Sequence, residues 1–208
     1  MIREFEGIVI KFSKYLDNDA MVTVLTKTGI KSFLARGALK MKSKNARSLN
    51  LYTISKFELL EEKYGNILKT GVSIYAPFNL YSSFESLACL SLIGEATFNS
   101  INEYDEYDLF SPFSIAIKNM DNNEDPLILT IEYLLLLMSF SGEGIDFNKL
   151  TIDEFNKNKL QNIYCKRTYD MDITFSKEEK IYLIKTLIEQ FEGAKGINLK
   201  SKEPFYIL

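Results

Sequence analysis

The sequence predicts an α+β, multidomain protein: a five-stranded β-barrel followed by an all-α helical domain. The first observation behind this is a change of hydrophobic period near Pro77, from alternating apolar residues to the three-and-four spacing of helices. The second is a reversal of charge at the same place. Residues 1 to 80 carry 13 Lys and Arg against 7 Asp and Glu, net +6, and residues 81 to 208 carry 12 against 21, net −9, in a chain whose total is −3. Such asymmetry predicts a polyanion-binding half joined to a half with another task.

The strands come first. Ile8, Ile10 and Phe12 alternate in one segment, Ala20, Val22 and Val24 oppose Met21, Thr23 and Leu25 in the next, and IKSFLAR makes a third, with DND and TKTG as turns between them. LYTISKFELL and, past the turn YGN, ILKTGVSIY supply two more segments rich in β-branched and aromatic residues. Five short strands with a longer connection between the third and fourth suit a small barrel of the OB type.

Helix signals follow. Ser82 and Glu85 read as a capping box for a helix running to about Ile101, apolar on nearly every side and therefore expected at the centre of its domain. Ser111 with Pro112 opens a second helix, and Asp125 with Pro126 a third that carries the run Leu134 to Met138. Thr151 with Glu154 and Ser176 with Glu179 read as two further capping boxes. The last long helix has a stripe at Ile181, Ile184, Ile188 and Phe191 and is expected to stop at Gly193. The domains expected are 1–77, an OB-fold nucleic-acid-binding domain, and 78–208, a helical partner-docking domain.

Composition narrows the function. A chain of 208 residues, 46% apolar and 25% charged, is ordinary for a globular protein. MIREFEGIVIKF lacks the pattern of a signal peptide, and the Leu134–Met138 run is too short to span a bilayer, so a cytoplasmic protein with no membrane partner is expected. Histidine is absent, which removes the commonest general base and metal ligand. No phosphate loop or dinucleotide fingerprint occurs; the Gly142-Glu143-Gly144 pair follows a helix and reads as a turn, and the acidic run Glu103 to Asp108 reads as a solvated connection. Cys89 and Cys165 lie 76 positions apart and support neither a disulfide framework nor a cysteine metal site. The chain is expected to be no enzyme and to hold no metal or cofactor.

The stretch ARGALKMKSKNAR, residues 35 to 47, is the strongest functional signal. It lies within a window from Ala20 to Phe57 that contains eight bases and no acid. Lys40, Lys42, Lys44 and Arg47, with Lys11, Lys31 and Arg36 added on one barrel face, form the expected contact with phosphate backbones, and Phe33 or Tyr52 could stack bases if they are not core. Charge alone leaves three readings open: DNA binding, an RNA-binding OB module on a helical scaffold, and a structural adaptor with an acidic partner.

Read as one string, residues 6 to 52 resemble the N-terminal domain of the bacterial RecO family. The resemblance rests on Gly7-Ile8-Val9, on Tyr15 with Asp17 and Asp19 before Val22-Thr23, on Thr26 followed by Gly29-Ile30-Lys31, and on Ala35-Arg36-Gly37-Ala38 leading to Lys42-Ser43. Gly196 to Lys202 is similar to the Leu-Lys-Ser-basic motif closing that family, and Leu134 to Gly144 to its leucine-rich helix. The resemblance implies a nucleoid-associated mediator of DNA repair and recombination. Such a mediator binds single- and double-stranded DNA, anneals strands, engages single-stranded DNA-binding protein through that protein's C-terminal tail, and with RecR helps load RecA. Many members carry a zinc-spaced cysteine cluster after the leucine-rich helix; here residues 145 to 170 hold only Cys165, which implies a zinc-free version held by packing through Ile163, Tyr164 and Tyr169. For the tail, which is acidic with an apolar end, the resemblance and the two tight basic groups single out Lys166, Arg167, Ile197, Leu199, Lys200 and Lys202.

Overall fold

A computed structural model describes residues 2–62, 65–101, 108–142, 144–166 and 174–207. It divides into two compact units, Met1–Phe78 with Ile101–Ile117, and Asn79–Ser100 with Lys118–Leu208. None of the described helices is long and apolar enough to cross a membrane.

Five strands, β1 (Ile2–Tyr15), β2 (Asp19–Thr26), β3 (Gly29–Ala35), β4 (Ile54–Glu62) and β5 (Gly65–Tyr75), close into a barrel in the order β1-β2-β3-β5-β4. All neighbours are antiparallel except β3 and β5, which run parallel, and β4 closes the barrel against β1. This is the OB-type barrel expected. Its interior is filled by Val9, Ala20, Val22, Val24, Phe33, Phe57, Leu59 and Leu68, with Phe5 and Phe12 packed against them. The aromatic rings meet at tilted angles, Phe33 to Phe57 at 5.2 Å and Phe5 to Phe57 at 5.9 Å.

The inner face of β1 differs from the alternation Ile8, Ile10, Phe12. A register shift between Val9 and Lys11 makes Ile10 an extra residue, so Val9 opposite Val24 and Phe12 opposite Val22 both point inward. Ile8 lies on the other face and is also fully buried, as is its partner Leu25. Within the same unit, the edge of Phe113 meets Tyr52 at 6.4 Å.

The helices are α1 (Phe84–Ser100), α2 (Phe110–Asp121), α3 (Pro126–Ser141), α4 (Glu154–Lys166), α5 (Lys177–Lys195) and the short α6 (Glu203–Ile207). In the second unit the central helix is α3, not α1: α3 packs against α1, α4 and α5, and every residue from Leu127 to Ser139 is buried. On α1, Phe84 and Phe98 reach solvent, which leaves that helix with an outer side. Two of the expected caps stand as read. The Asp125 carboxylate accepts from the N–H groups of Leu127 and Ile128, and Ser176 and Glu179 form a reciprocal capping box. The others move by a residue or more. Ser83, not Ser82, accepts the Ser86 N–H; Asp108 accepts the Ser111 N–H; and Asp153, not Thr151, accepts the Asn156 N–H. α5 runs past Gly193 to Lys195 and is capped by Gly196 at φ +65°. Ile163 is buried and Tyr164 meets Phe147 edge-on at 5.8 Å; Tyr169 and Glu103 to Tyr107 lie outside the described residues.

Candidate nucleic-acid interface

The basic connection runs from Arg36 to Thr53 between β3 and β4, and backbone hydrogen bonds tie it to the barrel at both ends. At its start the Asp19 carboxylate accepts the Gly37 N–H at 2.7 Å, and the Asn18 carbonyl accepts the Leu39 N–H at 3.0 Å. This bends the chain back over the β1–β2 turn, and Gly37 supplies the left-handed φ of +67° that the bend needs. Further on, a single 3-10 turn, Ala46–Leu49, is preceded by Asn45, whose side-chain oxygen accepts the Gly71 N–H at 3.1 Å. Ser48 Oγ donates back to the Asn45 carbonyl at 2.7 Å, and a Cβ on residue 71 would stand 2.3 Å from that Oγ, so only glycine fits there. At its end the Tyr52 N–H donates to the Val9 carbonyl at 2.7 Å and the Val9 N–H to the Thr53 carbonyl at 3.1 Å, which extends the β1–β4 ladder past Ile8 and Ile54 and satisfies both Val9 backbone groups.

On this framework Lys40, Lys42, Lys44 and Arg47 are exposed, and among the described residues no carboxylate lies within ion-pair distance of any of them. Four like charges within eight residues repel one another, and a polyanion relieves that repulsion while releasing its own counterions. Arg36 differs: its guanidinium stands 3.6 Å from Glu62 in a solvent-exposed pair. Lys11 lies on the outer face, opposite Thr23, whose hydroxyl meets that of Ser32 on β3 at 3.0 Å. Lys31 does not share that face. It alternates with Phe33 and Ala35 toward the barrel interior, and its Nζ sits 4.5 Å over the Phe5 ring. It is also four residues along β3 from Ala35, about 13 Å at strand spacing. Lys11, Lys31 and Arg36 therefore do not make one surface.

Phe33 and Tyr52 are core residues, 1% and 6% exposed, and offer no stacking face. The apolar groups beside the cations are others: Tyr15 and Leu16 at the β1–β2 turn, and Leu39 and the fully exposed Met41 on the connection. A groove of about 320 Å³ lined by Phe12, Ala38, Ala46, Leu49, Asn50 and Leu51 opens within the connection. The sequence held one signal for the turn residues, namely apolar side chains placed directly before the turn formers DND. It held none for the groove, which needs the fold of the connection.

Residues 1–73 match the family model described as "Recombination protein O N terminal". Over 168 residues the chain is 29% identical to the DNA repair protein RecO of Mesoplasma florum, which covers 78% of this chain and 61% of the relative. It is 27% identical over 180 residues to the protein of that name from Leuconostoc citreum, covering 80% of this chain and 67% of the relative. With that of Leuconostoc mesenteroides it shares 31% identity over 131 residues, 59% of this chain and 49% of the relative. The barrel thus matches the N-terminal domain of the RecO family, and the chain is similar to RecO proteins over most of its length. It spans about three fifths of the length of the Mesoplasma relative.

In this RecO-like chain the C-terminal motif has largely internal duties. The Lys200 and Ser201 N–H groups and the Ser201 hydroxyl all donate to the Glu95 carboxylate of α1, at 3.2, 2.8 and 2.5 Å. Burial works against the Glu95 charge, but these donors outweigh it and hold the carboxyl below its usual range. Lys202 Nζ donates to both Glu192 oxygens, at 2.9 and 2.8 Å, and to Asn198. Leu199, expected as a surface anchor, is fully buried, and Ile197 is half-buried. Of the residues expected at a tail site, Lys166 and Lys200 are exposed, and Arg167 lies outside the described residues.

Proposed function

We propose that the chain is a DNA repair and recombination mediator whose barrel binds single- and double-stranded DNA through the Arg36–Arg47 connection, anneals complementary strands, and with RecR helps load RecA on strands coated by single-stranded DNA-binding protein. One observation carries the DNA part: four exposed cations without a carboxylate partner among the described residues, held on a hydrogen-bonded connection of an OB-type barrel in a RecO-like chain. Annealing needs two mutually repelling backbones neutralised together, and a row of exposed cations on one connection of a barrel supports that. The role is non-enzymatic in this reading. The sequence has no histidine, and burial pushes the Cys89 thiol up to about 12, far from an activated nucleophile. The helical unit is the proposed docking half for RecR and for the acidic tail, with Lys166, Arg167, Ile197 and Lys200 as the candidate contacts. An annealing assay with complementary DNA strands coated by single-stranded DNA-binding protein, run with and without RecR, tests the proposal. Faster annealing of coated strands is expected, and annealing of RNA but not DNA would transfer the site to the RNA reading.

A further inference from the structure

We infer that the groove inside the basic connection is a nucleobase pocket: it takes one unstacked base of a single strand while the cations around it hold the flanking phosphates. The inference rests on the DNA-binding reading above and deepens it. The groove's floor, Leu49 and Phe12, is continuous with the barrel core, and its walls, Ala38 and Ala46, carry the smallest apolar side chains and so leave room. Its volume of about 320 Å³ sits at the low end for ligand clefts, the size of a ring system rather than of a folded partner. Apolar walls that include the aromatic Phe12 suit a base, which is hydrophobic on its faces and polar on its rim. Asn50 supplies the polar complement, because its side-chain amide makes no hydrogen bond to any described residue and offers both a donor and an acceptor to a base edge.

Charge selects the occupant. The segment that provides the walls Ala38 and Ala46 is the segment that carries Lys40, Lys42 and Lys44, and Arg47 follows Ala46 directly in the 3-10 turn. An apolar peptide side chain would find the same walls, but not a use for the exposed cations carried on the segment that forms them; a strand presents a base flanked by phosphates on both sides. A duplex keeps its bases stacked and paired, so it meets only the cations. The pocket therefore gives the connection a preference for single strands that charge alone does not supply.

The test compares oligothymidine with an abasic strand of equal length, which keeps every phosphate and removes every base, by fluorescence anisotropy on the full chain. The wild type is expected to bind oligothymidine about tenfold more tightly. Ala46→Phe, which fills the groove from an exposed position, is expected to bring the two strands to nearly the same affinity, and Leu51→Ser, which removes apolar wall without adding bulk, to narrow the gap in the same direction. A thermal melt of each variant establishes that it is folded. Equal, salt-sensitive binding of both strands by the wild type overturns the pocket and leaves the phosphate contact standing, as does a preference that survives in both variants. Displacement of oligothymidine, but not of the abasic strand, by an apolar-ended peptide gives the groove to a protein and overturns the inference as well. If neither strand binds, the DNA reading fails first and the pocket with it.

Discussion

The Arg36–Arg47 connection and the Lys200–Lys202 turn look alike in sequence, each a dense basic run with serine in it, but the fold uses them differently. Along the first, Lys40, Lys42, Lys44 and Arg47 stand in solvent with no carboxylate in reach among the described residues. In the second, Glu192 takes the Lys202 ammonium and Glu95 takes the backbone of Lys200 and Ser201. What separates them is the supply of acid nearby. The connection lies in a 38-residue window without an acid, whereas the turn lies in a half with 21 Asp and Glu against 12 bases. The proposed ligand surface is the basic run that its folded neighbourhood does not neutralise.

The contrast breaks most visibly in DNA affinity. Changing Lys40, Lys42 and Lys44 together to Glu should weaken single-strand binding at least a hundredfold at low salt, about 3 kcal/mol, and flatten the salt slope by about 2, since each lost contact removes about 0.7. Lys200→Glu should leave that affinity unaltered. A folded triple variant that binds like wild type would erase the distinction between the two basic runs.

Stability should respond the other way. Leu199→Ala is expected to cost about 2–3 kcal/mol in denaturant unfolding, because the side chain is fully buried beneath the turn, while DNA affinity measured on the folded protein stays put. Reading Leu199 as a surface anchor predicts almost no loss.

Glu95→Gln should cost less, about 1–2 kcal/mol near neutral pH, by removing a charged acceptor from three donors. The sign with pH follows from the lowered pKa. A carboxyl held below its unfolded value of about 4.3 stabilises the fold above that pH and loses the contribution as pH falls through the lower folded value. Acid titration of stability should therefore be shallower in Glu95→Gln than in wild type. The smallest effect belongs to Cys165→Ser. The thiol is exposed, and the change should stay within about 0.5 kcal/mol, with elemental analysis finding no stoichiometric zinc before or after.

The barrel could be read from the sequence because strand alternation and turn formers agree over most of it: Ala20, Val22 and Val24 line the interior as their spacing predicts. β1 misleads, since Ile8, Ile10 and Phe12 are all apolar and fit a regular strand; nothing in the letters marks Ile10 as the bulged residue. Caps slip for a similar reason. Ser82 and Ser83 are adjacent, and Asp153 lies two residues from Thr151, so competing caps differ only in where the first turn begins. The cations were legible because an absence of acid is a local property. The neutralisation of the C-terminal turn was not, because Glu95 lies 105 residues before Lys200. The groove was hidden for the same reason: Phe12 and Leu49 meet only once the barrel is closed.

Under the proposed DNA-binding role, the anchoring of the basic connection also governs how fast a strand is captured. A free loop of that length would have to give up its backbone freedom at the moment of capture, roughly 1–2 kcal/mol for each residue stilled. Here the bonds from Asp19, Asn18, Asn45 and Val9 have already removed much of that freedom before any strand arrives. Capture then needs no refolding step. Its rate follows diffusional encounter steered by charge, steep in ionic strength and single-phased in time, and release is set by the contacts made rather than by a loop that must first come undone.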